Sequence, residues 1–94
     1  MDKVELFNAV ADIVKEGSVT GFTPITVLDT PWAETNLDSL DAIMMCVYLA
    51  EIYVVEEEIS KHFVFSTPKE LFDLLEANKT KDPESLEEAL KVVV

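Results

Sequence analysis

Arginine is absent from this chain of 94 residues, and it has no long hydrophobic run and no cluster of cysteines. Each gap removes a class of protein. The seven basic residues are all lysines and stand against 19 aspartates and glutamates, for a net charge of −12. Such a surface repels nucleic-acid phosphates and anionic lipid and favours encounter with basic protein surfaces. Nucleic-acid binding is excluded on that ground. Mimicry of DNA is disfavoured too, because the acids are interleaved with apolar residues in helical patterns. Cys46 is the only cysteine, so there is no internal disulfide and no cysteine-based metal cluster, and the setting implied is a reducing compartment. The longest apolar run, Ala42 to Ala50, is too short to span a bilayer and is ended by Glu51. The opening "MDKVELFNAVADIVKEG" lacks the layout of a signal peptide and the arginines of a transit peptide, so the expectation is a cytoplasmic protein without membrane insertion. There is no glycine-rich phosphate loop, no HExxH-type site and no defensible Cys–His or Ser–His pairing, and the chain reads as a non-enzyme.

What is present is mostly helical pattern. Phe7, Val10, Ala11 and Val14 recur at i, i+3, i+4, i+7 and predict a first helix from about Asp2 to Lys15, with Asp2, Glu5, Asn8 and Asp12 facing outward and Gly17 ending it. The stretch "SVTGFTPITVLDTPWAETN" has the composition of a loop, and Phe22, Ile25, Leu28 and Trp32 are its expected anchors into the core. "STPKELFDLLEAN" carries a start signal, with Thr67 as N-cap, Pro68 at the first position and Glu70 closing a capping box. Leu71, Leu74 and Leu75 form its buried stripe, with Phe72 to one side. A further helix is expected after Asp82 and Pro83, with Leu86, Ala89, Leu90 and Val93 as a stripe that folds back on the bundle or meets another chain. "EEEISKHF" is long enough for a turn or two of minor helix. No strand alternation finds a partner.

The chemistry concentrates in "ETNLDSLDAIMM". Asp38 is placed to cap a helix, Ser39 to occupy its first position and Asp41 its third, so two carboxylates lie beside free backbone N–H groups at the positive end of the helix dipole. The body "LDAIMMCVYLAEIYVV" is apolar nearly all round. Leu40, Ile43, Cys46 and Val47 are expected to face inward, continuing through Ala50 and Tyr53. The bland readings are core filler for Met45, a buried thiol for Cys46, a solvated His62 and a solvated acidic face for "VEEEIS".

Taken together, "DSLD" opening the second helix, the long loop before it, the acidic charge and "STPKELFDLL" downstream resemble the acyl carrier proteins over residues 2 to 78. The fold implied is all-α, a four-helix bundle of three main helices plus a short one, with a long loop between helices 1 and 2. Residues 1–78 would form the carrier-like domain and residues 79–94 an additional C-terminal helix. The function implied is carriage of acyl or related intermediates as thioesters on a 4′-phosphopantetheine arm attached to Ser39. Asp38, Leu40, Asp41, Met44 and Glu51 would form the recognition surface. The partners implied are a phosphopantetheinyl transferase and the acyl-transferring, condensing and modifying enzymes of fatty-acid, polyketide or specialised-lipid synthesis, served by a monomer. A peptidyl or aminoacyl carrier and an unmodified carrier-like interaction module are the alternatives. The chain departs from the family pattern in having Asn36 where a glycine is usual and Thr35 where a leucine is common, with Leu37 placed to fill the gap. On the outward face of the second helix, Met44, Tyr48 and Ala50 lie between Asp41 and Glu51, which implies partners recognised less purely by charge.

Overall fold

Asp2 starts the first helix by accepting the backbone N–H groups of Val4 (2.8 Å) and Glu5 (3.4 Å), so that α1 runs Lys3–Val14. It ends as expected, with Gly17 at φ 79°, a conformation that costs glycine little. The computed structural model describes residues 1–94, and all of its regular structure is helical. After α1 come a 3-10 turn at Trp32–Glu34, α2 (Ser39–Tyr53), the single turn α3 (Glu57–Ser60), α4 (Pro68–Asn78) and α5 (Leu86–Val93).

One core holds the bundle together, built on Leu6, Phe7, Val10 and Ala11 of α1, Met45, Leu49, Ile52 and Tyr53 of α2, and Leu71, Phe72 and Leu75 of α4. α2 is the central element, packed against each of the other four helices. The C-terminal helix α5 lies on α1 and α2, with Ala89 fully buried and Leu86, Leu90 and Val93 packed at the edge of the core.

The long loop is fastened as its anchors predict. Ile25 is buried, and Phe22, Leu28 and Trp32 pack against the core. Polar ties fix its path. Asn8, expected on the outside, turns to the loop and both donates to the Ile25 carbonyl (3.0 Å) and accepts its N–H (2.9 Å). The Leu28 carbonyl accepts from Lys69 and the Trp32 N–H donates to Ser66, which binds the loop to the start of α4.

Several expectations about faces and ends need correction. Leu40, Ile43 and Val47 do not face inward: they are 67%, 60% and 43% exposed, and the buried row of α2 is Met45, Leu49 and Ile52. A helix apolar nearly all round carries no periodic signal, so the surrounding helices decide which face is covered. Ala50 and Tyr53 lie in the core, as the inward run through them predicts and against the placement of Ala50 on the outward face, and Tyr48 packs against the core. Phe72 is core and Leu74 only half-buried, so the α4 stripe is rotated from the predicted one. α5 begins after Ser85, whose hydroxyl accepts the Glu88 N–H (3.1 Å), rather than at Asp82–Pro83. The capping box predicted at α4 is incomplete: Thr67 accepts the Glu70 N–H (3.1 Å), but Glu70 reaches back one residue further, to Ser66.

Candidate functional site at the start of α2

The loop delivers the chain to α2 through a defined turn. Thr35 is fully buried, its hydroxyl donating to the Trp32 carbonyl (2.6 Å) and accepting the Leu37 N–H (3.2 Å). Asn36 stands at φ 63°, the left-handed conformation that asparagine tolerates better than most residues, and its amide donates to the Gly21 carbonyl (2.9 Å). Leu37 enters the core beside the buried Thr35.

Asp38 then caps α2. Its Oδ1 accepts the Asp41 N–H (2.8 Å), and Asp41 Oδ2 accepts the Asp38 N–H (3.1 Å), a reciprocal capping box made of two aspartates. Asp41 does a second job that its spacing did not announce. Its carboxylate receives the Lys15 ammonium at 2.7 Å, with the two side chains only 14% and 11% exposed, so the end of α1 is bolted to the start of α2. Burial pushes the Asp41 carboxyl up, but the Lys15 and Asp38 hydrogen bonds and the Lys15 charge outweigh it and hold it below its ordinary 3.8.

Ser39 occupies the first position of α2 and is exposed, and its hydroxyl enters no hydrogen bond with the protein. The helix cap is Asp38, so the serine is spare. Ser39 stands at the rim of an open cleft of about 610 Å³ walled by Trp32, Leu37, Ala42, Phe63, Val64 and Phe65. Beyond it the exposed Leu40, Ile43 and Val47 form a stripe along α2 at i, i+3, i+7. Glu51 is exposed farther along the helix, and Met44 is half-buried. Met45 is core, as expected. The Cys46 thiol is half-buried, donates to the Ser60 carbonyl (3.6 Å), and is pushed up by burial, away from the thiolate a nucleophile needs. His62 is exposed.

The charge pattern around the site is one-sided. Every one of the seven lysines is taken by an acid of the chain itself: Glu76, Asp41, Glu58, Asp73, Asp82, Glu88 and Glu87. The other twelve of the 19 acids form no ion pair with a lysine, among them Glu34, Glu56, Asp38 beside Ser39, and Glu51 and Glu57, which share a hollow with Val47 of the apolar stripe. No set of three or more His, Cys, Asp or Glu side chains is grouped to hold a metal ion, and no helix is long and apolar enough to cross a membrane.

The sequence brings Asp38, Ser39 and Asp41 together correctly. It does not reveal Lys15, whose partner lies on another helix, or the Phe63–Val64–Phe65 wall, whose only signal is a short alternation after α3. A comparison with protein-family models, with curated proteins and with solved structures finds no match.

Proposed function

We propose that the chain is an acyl carrier protein, with Ser39 as the attachment point of a 4′-phosphopantetheine arm. One observation carries this reading: the first position of α2 holds a solvent-facing hydroxyl that the helix does not use, because Asp38 supplies the cap. The attached group would be a phosphodiester, and a helix start suits it. The Ser39 and Leu40 N–H groups lie before any intrahelical acceptor, and the dipole is positive there.

In the loading step the Ser39 oxygen attacks the phosphorus of coenzyme A that bears pantetheine. A phosphorus–oxygen bond to Ser39 forms, the bond to adenosine 3′,5′-bisphosphate breaks, and the serine proton passes to a base of the transferase. The carboxylates nearest Ser39 are already engaged, Asp38 and Asp41 in the capping box and Asp41 with Lys15, and the transferase would supply the base. Partner enzymes would dock on the α2 face, where Leu40, Ile43 and Val47 offer apolar contact and the unpaired Glu51, Glu56 and Glu57 offer charge. That combination suits a partner with an apolar centre and a lysine- or arginine-lined rim. The acids tied to lysines contribute less, Asp41 above all.

The test is incubation with coenzyme A and a broad-specificity phosphopantetheinyl transferase, followed by intact-mass measurement. A single added arm is expected, and none in Ser39→Ala. A folded wild-type protein that gains no mass would leave the chain an interaction module that uses the same α2 face.

A further inference from the structure

Trp32 poses a problem that the carrier reading leaves open. Its indole Nε1–H is buried and finds no acceptor in the protein, the one side-chain polar atom in that condition. An orphaned buried donor forfeits its hydration with nothing in return, so it asks for an explanation. The ring is well positioned. Phe7 of α1 meets it edge-on with centroids 5.5 Å apart, Phe65 packs on it at 5.3 Å, and its backbone N–H is tied to Ser66. Trp32 is also a wall of the cleft that has Ser39 at its rim.

We infer that this cleft seats the pantoyl section of the arm carried by Ser39, with the Trp32 indole N–H donating to the arm's first amide carbonyl. The inference rests on the carrier reading and adds a ligand subsite and a positioning residue to it. The lining decides the chemistry of the occupant. Leu37, Ala42, Phe63, Val64 and Phe65 are apolar, the one charged lining residue is the anionic Asp38 beside Ser39, and no lysine is among them, so an anionic group belongs outside, at the helix start. The pantoyl unit follows the phosphate directly and combines two methyl groups on one carbon with an amide carbonyl, an apolar body bearing an acceptor. A saturated acyl chain would fill the same walls and leave the indole unpaired. The volume of about 610 Å³ lies within the range of small-molecule sites. The indole N–H is shut off from solvent, so seating the arm against it calls for a shift of the cleft lining, of which Val64 is already 88% exposed.

Trp32 is the only tryptophan, so the chain has a single indole resonance. The experiment records the 15N–1H spectrum of the full chain before and after loading with coenzyme A and a transferase, with intact mass checked on the same sample. The expected result is a downfield shift and slowed solvent exchange of the Trp32 indole N–H in the loaded protein, with nuclear Overhauser contacts from that proton to the arm's methyl groups. Trp32→Phe should still accept the arm at Ser39 but lose contacts between those methyls and Phe63 or Phe65. Complete loading with an unchanged indole resonance overturns the subsite and leaves the carrier reading standing. A response that appears only when an acyl group is attached to the arm also overturns it, and makes the cleft a cargo site. Failure of a folded protein to load overturns the carrier reading itself. Should Trp32→Phe not fold, the wild-type contacts alone decide.

Discussion

α2 and α4 begin in nearly the same way and end up with opposite uses for their hydroxyls. Each start has a capping side chain that accepts the N–H three residues on, Asp38 from Asp41 and Thr67 from Glu70, and each has an acid at the third position that reaches back to the preceding backbone. At α4 the polar side chains are consumed locally. Thr67 is the cap, Ser66 donates to Glu70 (2.9 Å), and the first position is Pro68, which has nothing to offer. At α2 the cap is a carboxylate, and the serine is left over, one position inside. α5 follows the α4 pattern, with Ser85 as the acceptor. A hydroxyl near a helix start is therefore uninformative until one knows whether the helix needs it. The acids differ as well: Glu70 takes both Ser66 hydrogen bonds on Oε1, which hold its carboxyl below the usual range, whereas Asp41 is held by a lysine from another helix.

The contrast can be broken at several points. The largest effect is expected from Ser39→Ala, which should abolish arm attachment and leave the urea midpoint unchanged, while Ser66→Ala leaves attachment intact. Intact mass and urea unfolding read both. Next is Lys15→Met, which strands a mostly buried Asp41 carboxylate. The loss should be about 2 kcal/mol, between the values for exposed and fully buried pairs, measured by urea denaturation at neutral pH. An indistinguishable midpoint would mean that the bolt between α1 and α2 does not hold the site. Thr67→Ala should cost about 1 kcal/mol, as loss of a cap does, and should not affect attachment. Its counterpart Asp38→Ala should cost a similar amount and also slow loading.

Acid sharpens the same comparison. The folded Asp41 carboxyl titrates below its ordinary 3.8, so the stability it brings is complete above that value and is lost as pH falls through the folded pKa. The gap between wild type and Lys15→Met should therefore stay constant from pH 7 to about 5 and close under stronger acid. Comparing the two proteins cancels most of the general relief of charge repulsion that acid brings to so anionic a chain. The smallest effect belongs to the α2 stripe: Val47→Ala should shift stability by less than about 0.5 kcal/mol, since the side chain lies on the outer face. A large loss there would mean that the stripe is core after all.

How far the sequence could be read differs from element to element. The extents of α1 and α4 and the loop anchors were legible because amphipathic spacing and capping residues encode a local choice, while packing turned the α4 stripe from Leu74 towards Phe72 and drew Asn8 of α1 to the loop. The inward face of α2 was not, because Leu40, Ile43 and Val47 are as apolar as Met45, Leu49 and Ile52 and spacing cannot separate them. The start of α5 was misplaced because Asp82 and Pro83 imitate a helix start, while Lys79 takes Asp82 at 2.6 Å and Ser85 supplies the cap.

At the site itself, Asp38, Ser39 and Asp41 were within reach of the sequence because capping is a matter of three or four neighbouring residues. Asn36, left-handed in the structure, drew notice only because the carrier resemblance puts a glycine there. Which groups would meet those residues from afar was settled only by packing: Lys15 arriving from α1, Trp32 wedged between Phe7 and Phe65, and the Phe63–Phe65 wall closing a cleft beside Ser39. Backbone hydrogen bonding at a helix end has a range of one turn, so sequence neighbours determine it. Burial is shared among elements far apart in the chain, so it is decided only once they are assembled.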